Sequence, residues 1–311
     1  MKSVHFDCTR CGACCRASIP LGLAEALDYD DRFLLGLVFS METWNLGDFK
    51  KNRPVIPITH EELLTTLAFR KDKLAMDQSR DTVFQVGRVR ASGERVVTFL
   101  SVAACGLGDF EAGAAKCPAL GADETCSIYE KRPLGCRVFP LDPLYPEMLQ
   151  NVPLAALAKR LPCGFSDTAP PIWSEGKLAD PETRALLEAR QQTMARDSAF
   201  LPYYGMAAAN FHPMPSLSDV LLAIKGNGKL DLPFVPALVF LVASGQIGVE
   251  RAELCLTRQS GLAAKAVDQA LKRKDKAERA RTAVLRNCLP LMDSFRGRLG
   301  QAADGFCESS G

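Results

Sequence analysis

Histidine is nearly absent from this chain of 311 residues: His5, His60 and His212 are its only three imidazoles. That scarcity speaks against a metal site built from two cysteines and two histidines. Neither sign of charge dominates, since 38 Lys and Arg face 36 Asp and Glu for a net charge of +2. With no global field to attract them, neither nucleic acid nor an anionic membrane is expected as a partner. Long hydrophobic runs are missing as well. The longest, Phe234 to Ala243, contains Pro236 and falls well short of the roughly 20 residues that a membrane span requires. Met1 to Asp7 lead into Cys8 without an apolar stretch, so no signal peptide is read there and a cytoplasmic location is expected. The G-x-S-x-G, H-E-x-x-H, P-loop and G-x-G-x-x-G patterns are all lacking, which leaves hydrolase, zincin, P-loop and dinucleotide-binding readings without support.

What the chain has in plenty is cysteine, 12 residues of it, most of them clustered. In a reducing compartment, clustered cysteines read as metal thiolates before disulfides. Cys8, Cys11, Cys14 and Cys15 form the first group, with Gly12 among them. Their three-residue interval lets one tight loop aim several sulfurs at a common centre, as in the C-x2-C-x2-C core of bacterial ferredoxins, where a remote Cys followed by Pro also serves as a ligand. Cys117-Pro118 suits that remote part. Gly12 allows close backbone approach and amide hydrogen bonds to sulfur. The second group, Cys117, Cys126, Cys136 and Cys163, lies on a stretch broken by Gly121, Pro133, Gly135, Pro140 and Pro143, where little regular structure is expected. Arg10, Arg16, Arg132 and Arg137 flank the thiols. They read either as charges that offset a multi-thiolate site or as ordinary solvated surface. Tyr129 reads either as a contact beside the metal or as packing for the cysteine loops, with Glu130 paired to Arg132 or Arg137. Of the remaining cysteines, Cys255 and Cys288 read as small buried hydrophobes, Cys105, just after the second strand, as a spare ligand or a residue that supports the ligands from behind, and Cys307 as an exposed thiol in a polar tail.

Composition, 47% hydrophobic and 24% charged, fits one large or two modest globular domains. Thr59-His60-Glu61-Glu62 has capping-box spacing and opens a helix through Leu74. Val83 to Val86 and Val96 to Leu100 flank Ser92-Gly93 and predict a hairpin. Asp180-Pro181 starts another helix, through Leu186, Leu187 and Met194. Further helices are expected over Ser216 to Ile224 and Val235 to Ser244. A long final one carries Val267, Ala270, Ala277, Val284, Cys288 and Leu291 on one face until Pro290 kinks or ends it. The basic stretch Lys272 to Arg281 reads as a solvated helix face. The expected fold is therefore α+β and α-rich. An irregular cysteine-rich metal-binding domain with a small β-hairpin occupies residues 1–169, a helical domain occupies 170–311, and the break falls near Thr168-Ala169-Pro170-Pro171.

Phe6-x-Cys8-x2-Cys11-Gly12-x-Cys14-Cys15, Cys117-Pro118-x-Leu120, Cys126-Ser127-Ile128-Tyr129-Glu130-x-Arg132-Pro133-x2-Cys136-Arg137-x-Phe139-Pro140 and Cys163-Gly164 together resemble the YkgJ-like CxxCxxCC cysteine-cluster family. The resemblance implies a zinc- or iron-chelating domain whose eight cysteines correspond to Cys8, Cys11, Cys14, Cys15, Cys117, Cys126, Cys136 and Cys163. It ends at Gly164. Flagellin lysine N-methylases share the signature, so it also implies an enzyme alternative that uses S-adenosylmethionine on a protein substrate. Two four-thiolate zinc sites and one or two iron–sulfur clusters, such as a 4Fe–4S cluster, compete for the thiols. The second group is spaced by nine, ten and 27 positions and has no C-x2-4-C knuckle, which favours iron. The adjacent side chains of Cys14 and Cys15 diverge, so one of them can serve a second metal. The expectation is a metal-binding protein that holds an iron–sulfur cluster through these cysteines, with Gly12, Tyr129, Arg132 and Arg137 around it. Its work is redox or radical chemistry, or electron transfer as an accessory to a protein partner. The alternative is a structural zinc protein with a partner-docking helical half.

Overall fold

The computed structural model describes residues 3–16, 20–45, 59–76, 88–89, 95–107, 117–161, 164–210, 214–227, 229–273 and 282–301. Among the described residues the fold mixes helix and sheet, about 55% helical with small antiparallel sheets, as an α+β chain should. It divides into two units. The first comprises Met1–Cys14, Met41–Ser101 and Leu120–Ser198, the second Cys15–Ser40, Val102–Ala119 and Ala199–Gly311.

In the first unit, β1 (Ser3–His5) pairs antiparallel with β6 (Pro171–Ser174), which pairs with β7 (Lys177–Leu178). Glu175 and Gly176, both with positive φ, make the two-residue turn whose twist matches the flanking strands. Val4, Trp173 and Leu178 face inward and close a core with Val138, Leu141, Leu154 and Leu187. Trp173 Nε1 donates to the Glu147 carbonyl at 2.9 Å, while the Glu147 carboxylate accepts from the Leu178 amide at 2.7 Å and from Arg184 at 3.0 Å. These bonds fasten the hairpin to α4 (Pro181–Asp197), which starts where its N-cap Asp180 accepts from the Thr183 amide at 2.7 Å. The bonds from Thr183 hold the Asp180 carboxyl below its usual range. α1 (His60–Leu74) opens with both bonds of the capping box, Glu62 amide to Thr59 at 3.2 Å and Thr59 amide to Glu62 at 2.7 Å, and packs against α4. The short α2 (Leu134–Val138) and α3 (Asn151–Ala158) complete the unit's helices among the described residues.

The second unit carries α5 (Phe200–Asn210), α6 (Leu217–Asn227), α7 (Val235–Ala243), α8 (Val249–Arg273) and α9 (Ala283–Phe295). A second sheet runs in the order β2 (Pro20–Leu21), β5 (Arg95–Gly106), β3 (Leu35–Asn45), β8 (Lys229–Pro233), with β4 (Arg88–Val89) also on β5; of it, residues 20–21, 35–40, 102–106 and 229–233 belong to the second unit. α7 is the chain's longest apolar run, and every residue from Val235 to Leu241 is buried. Asp30, 1% exposed, takes hydrogen bonds from Arg251 and Arg258 of α8. The next residue of that helix, Gln259, donates to the Asp30 and Phe33 carbonyls at 2.8 and 2.9 Å and accepts from the Leu35 amide at 2.6 Å. A second core forms from Leu34, Cys105, Leu107, Ala263 and Leu285.

Four expectations change. The units do not divide near Thr168–Pro171, because His5 Nδ1 donates to the Ala169 carbonyl at 2.7 Å and the Phe6 amide to the Pro170 carbonyl at 3.1 Å, which ties that segment to β1. The region after 170 is not purely helical, since β6, β7 and β8 lie within it. In place of a single final helix, the described residues carry α8 and α9, which pack against each other, and Pro290 sits inside α9 without ending it. Ala277 and most of the basic stretch lie outside the described residues. The hairpin is present in part, as Arg88 and Val89 pair with Val96 and Arg95, but β5 continues to Gly106, so Cys105 is a strand residue opposite Pro20. Val83 to Val86 and Ser92-Gly93 lie outside the described residues. No helix among the described residues is long and apolar enough to cross a membrane.

Candidate metal centre

The loop that bears the first cysteines is held at its entrance by aromatic packing. Phe6 is buried, with its ring 5.9 Å from that of Phe139 and 5.0 Å from that of Phe165. The Asp7 amide then donates to the Gly164 carbonyl at 2.9 Å, so Cys8 leaves the anchored strand next to the residue that follows Cys163. Arg10 and Gly12 take left-handed conformations, φ 56° and 67°, and curl the chain tightly between Cys8 and Cys14. At Gly12 only glycine fits. A Cβ there would lie 2.8 Å from the Glu124 carbonyl oxygen and 3.0 Å from Leu120 Cδ1.

Those two neighbours belong to the second cysteine segment. Leu120 bridges Cys126 across a small turn, closed by the Gly121 amide on the Thr125 carbonyl at 2.8 Å and pinned by Thr125 donating to Asp123 at 2.8 Å. The Thr125 bonds hold the Asp123 carboxyl below its usual range. A short helical turn, Tyr129–Lys131, follows, and Pro133 then accepts from the Cys136 and Arg137 amides at 2.9 and 3.0 Å to start α2. Cys136 is thus placed within a helix and not on an irregular loop.

Between these segments stands Tyr129. The Arg10 guanidinium carbon lies 4.0 Å from its ring centroid and that of Arg132 lies 3.7 Å away. Arg132 Nε also donates to the Tyr129 carbonyl at 2.8 Å. Tyr129 therefore packs between the cysteine loops. Arg132 is engaged by the tyrosine rather than by Glu130, and Glu130 and Arg137 are exposed.

In the second unit the Cys117 amide donates to the Cys15 carbonyl at 2.7 Å, a direct backbone link between the two cysteine groups. Cys8 and Cys11 are exposed, while Cys14, Cys15, Cys117, Cys126 and Cys136 are half-buried. Cys163 and Cys307 lie outside the described residues. Within each unit the backbone thus brings candidate segments together, yet among the described residues no group of three or more His, Cys, Asp or Glu side chains is gathered closely enough to hold a metal ion. The donor set suits a soft-ligand centre on its chemistry, because every candidate ligand is a thiol.

Cys105, Cys255 and Cys288 are buried in the second unit. Burial pushes the Cys255 and Cys288 thiols up to about 12, helped at Cys255 by the Asp30 carboxylate. Both belong to the core, as their sequence surroundings indicate. Missed in the sequence was the Asp30–Arg251–Arg258–Gln259 network. The i, i+7 spacing of its arginines on α8 is visible in the sequence, but their acceptor is 221 residues away. No family model, curated protein or solved structure matches the chain.

Proposed function

We propose that this chain is a metal–thiolate protein that holds an iron–sulfur cluster and acts in redox chemistry as an electron-transfer or accessory protein. The observation that carries this reading is the seating of Gly12. The loop with Cys8, Cys11 and Cys14 lies so close to the turn before Cys126 that no side chain fits between them. The residues that would hold the metal are Cys8, Cys11, Cys14, Cys15, Cys117, Cys126, Cys136 and Cys163. Such a cluster supplies one-electron redox chemistry when bound. The chain itself supplies thiols and, through Arg10 and Arg132, positive charge near a centre that thiolates make negative. Iron is preferred to zinc because zinc sites of four thiolates usually draw on C-x2-4-C knuckles, and the second group has none.

The test is elemental analysis of anaerobically purified protein for iron, zinc and acid-labile sulfide, together with a visible spectrum. Iron and sulfide in near-equal amounts with broad thiolate-to-iron absorption is the expected result. Zinc alone in a colourless protein overturns the redox reading and makes the cysteines a structural staple. Absence of any bound metal overturns the metal reading itself.

A further inference from the structure

We propose that Arg10, Tyr129 and Arg132 form a clamp that presets the cysteine loop before any metal arrives, with the two arginines as positioning residues. The inference rests on the metal–thiolate reading above and deepens it. Arg10 lies between Cys8 and Cys11, and Tyr129 and Arg132 lie between Cys126 and Cys136, so this contact joins the two ligand segments of the first unit without using a cysteine. Both guanidiniums stack on the one ring, at 4.0 and 3.7 Å from its centroid, an arrangement favoured by attraction between a cation and the aromatic face. Arg132 is oriented further by its bond to the Tyr129 carbonyl. Arg10 reaches the ring from a left-handed backbone position that a non-glycine residue takes only at a cost.

Two like charges gathered on one half-buried ring repel each other, and a negative centre nearby relieves that repulsion. A metal bound by several thiolates is such a centre. The clamp therefore has two parts. The ring holds the loop in register, and the guanidiniums place positive charge where the bound metal site is negative. Arginine suits this better than lysine, because its planar cation stacks on aromatic faces.

The experiment uses metal-stripped full-length protein at one fixed pH and compares the parent with Tyr129→Phe, Tyr129→Leu and Arg10→Gln. Hydrogen exchange of the amides in segment 8–15 reads the loop, and titration with Co2+, followed by its thiolate charge-transfer absorption, reads metal binding. Tyr129→Phe keeps the ring and should match the parent in both. Tyr129→Leu and Arg10→Gln should exchange those amides faster and bind Co2+ about tenfold more weakly, the usual scale for residues that support metal ligands from behind. Unchanged exchange in Arg10→Gln, an exposed position whose variant should fold even if Tyr129→Leu does not, overturns the clamp. Unchanged Co2+ affinity beside faster exchange overturns its role toward the metal. A parent protein that binds no Co2+ overturns the metal–thiolate reading instead, while the exchange data still decide whether the clamp orders the loop.

Discussion

Cysteine plays two different parts in this chain, and burial separates them. The Cys255 and Cys288 thiols are raised from 9.0 to about 12, so the folded state keeps protons that the unfolded chain releases over that range. Stability tied to them is complete below pH 9 and falls as pH rises toward 12, by up to about 1.4 kcal/mol per pH unit for each thiol. Urea unfolding at pH 8 and pH 10 should show this loss, and it should shrink in the Cys255→Ala, Cys288→Ala double variant. An equal loss in parent and variant would show that other groups cause it. At Gly12 the argument is steric. Gly12→Ala adds a left-handed residue, which costs about 1–2 kcal/mol, and a methyl group against the Glu124 carbonyl. The variant should unfold at lower urea than the parent by at least that amount, even without metal. The cysteine spacing and Gly12 were legible in the sequence because they are local. The ring that Arg10 stacks on was not, since Tyr129 is far along the chain and nothing near Arg10 signals it.

Among elements, legibility follows the range of the interactions that define them. The starts of α1 and α4 were readable from Thr59–Glu62 and Asp180–Pro181, whose bonds span three residues. β3 was not, because Leu34 to Phe39 is almost continuously apolar and shows no alternation. β8 was hidden for another reason: its pairing with Gly36 to Ser40 joins segments far apart in the chain. Pro290 shows the limit of a local rule. Proline disfavours a helix interior by about 3 kcal/mol, yet α9 runs through it because Leu285, Cys288, Leu291, Met292 and Phe295 are all buried and outweigh that cost. Pro290 itself is exposed. Pro290→Ala should therefore restore a backbone bond and stabilise the protein by about 1–2 kcal/mol, after allowance for the freedom that alanine returns to the unfolded chain. Thermal unfolding checks it, and a lower midpoint would mean that the ring packs usefully. The contact of Asp30 with α8 is the opposite case. Asp30→Ala removes a buried acceptor whose arginine partners are partly exposed and can turn to water, so the midpoint should fall in the same melt, by less than the loss of a fully buried ion pair would cause.

The two units of the whole molecule are not the two halves of the sequence. β1 draws residues 169–174 back to the N-terminus, so the first unit gathers segments from three parts of the chain, and a break placed at a proline-rich stretch misses that return. This arrangement gives the protein separate optical reporters. Trp173 is buried in the core of the first unit, whereas the long helix α8, 25 residues, belongs to the second. Of the eight candidate ligands, only Cys15 and Cys117 fall in the second unit. A ligand that binds only the folded state stabilises what it binds by mass action, so metal held by these thiols should act mainly on the first unit. Stripping the metal, or replacing Cys11 or Cys126 by Ser, should move the tryptophan-fluorescence transition to lower urea by more than the helical circular-dichroism transition. Cys288→Ser should leave metal content unchanged, because its thiol is buried in the core of the second unit. Equal shifts in the two signals would mean that the units unfold together. Equal metal content in Cys11→Ser, Cys126→Ser and Cys288→Ser would remove the ligand assignment, and with it the reason for the cysteine spacing on which the functional reading stands.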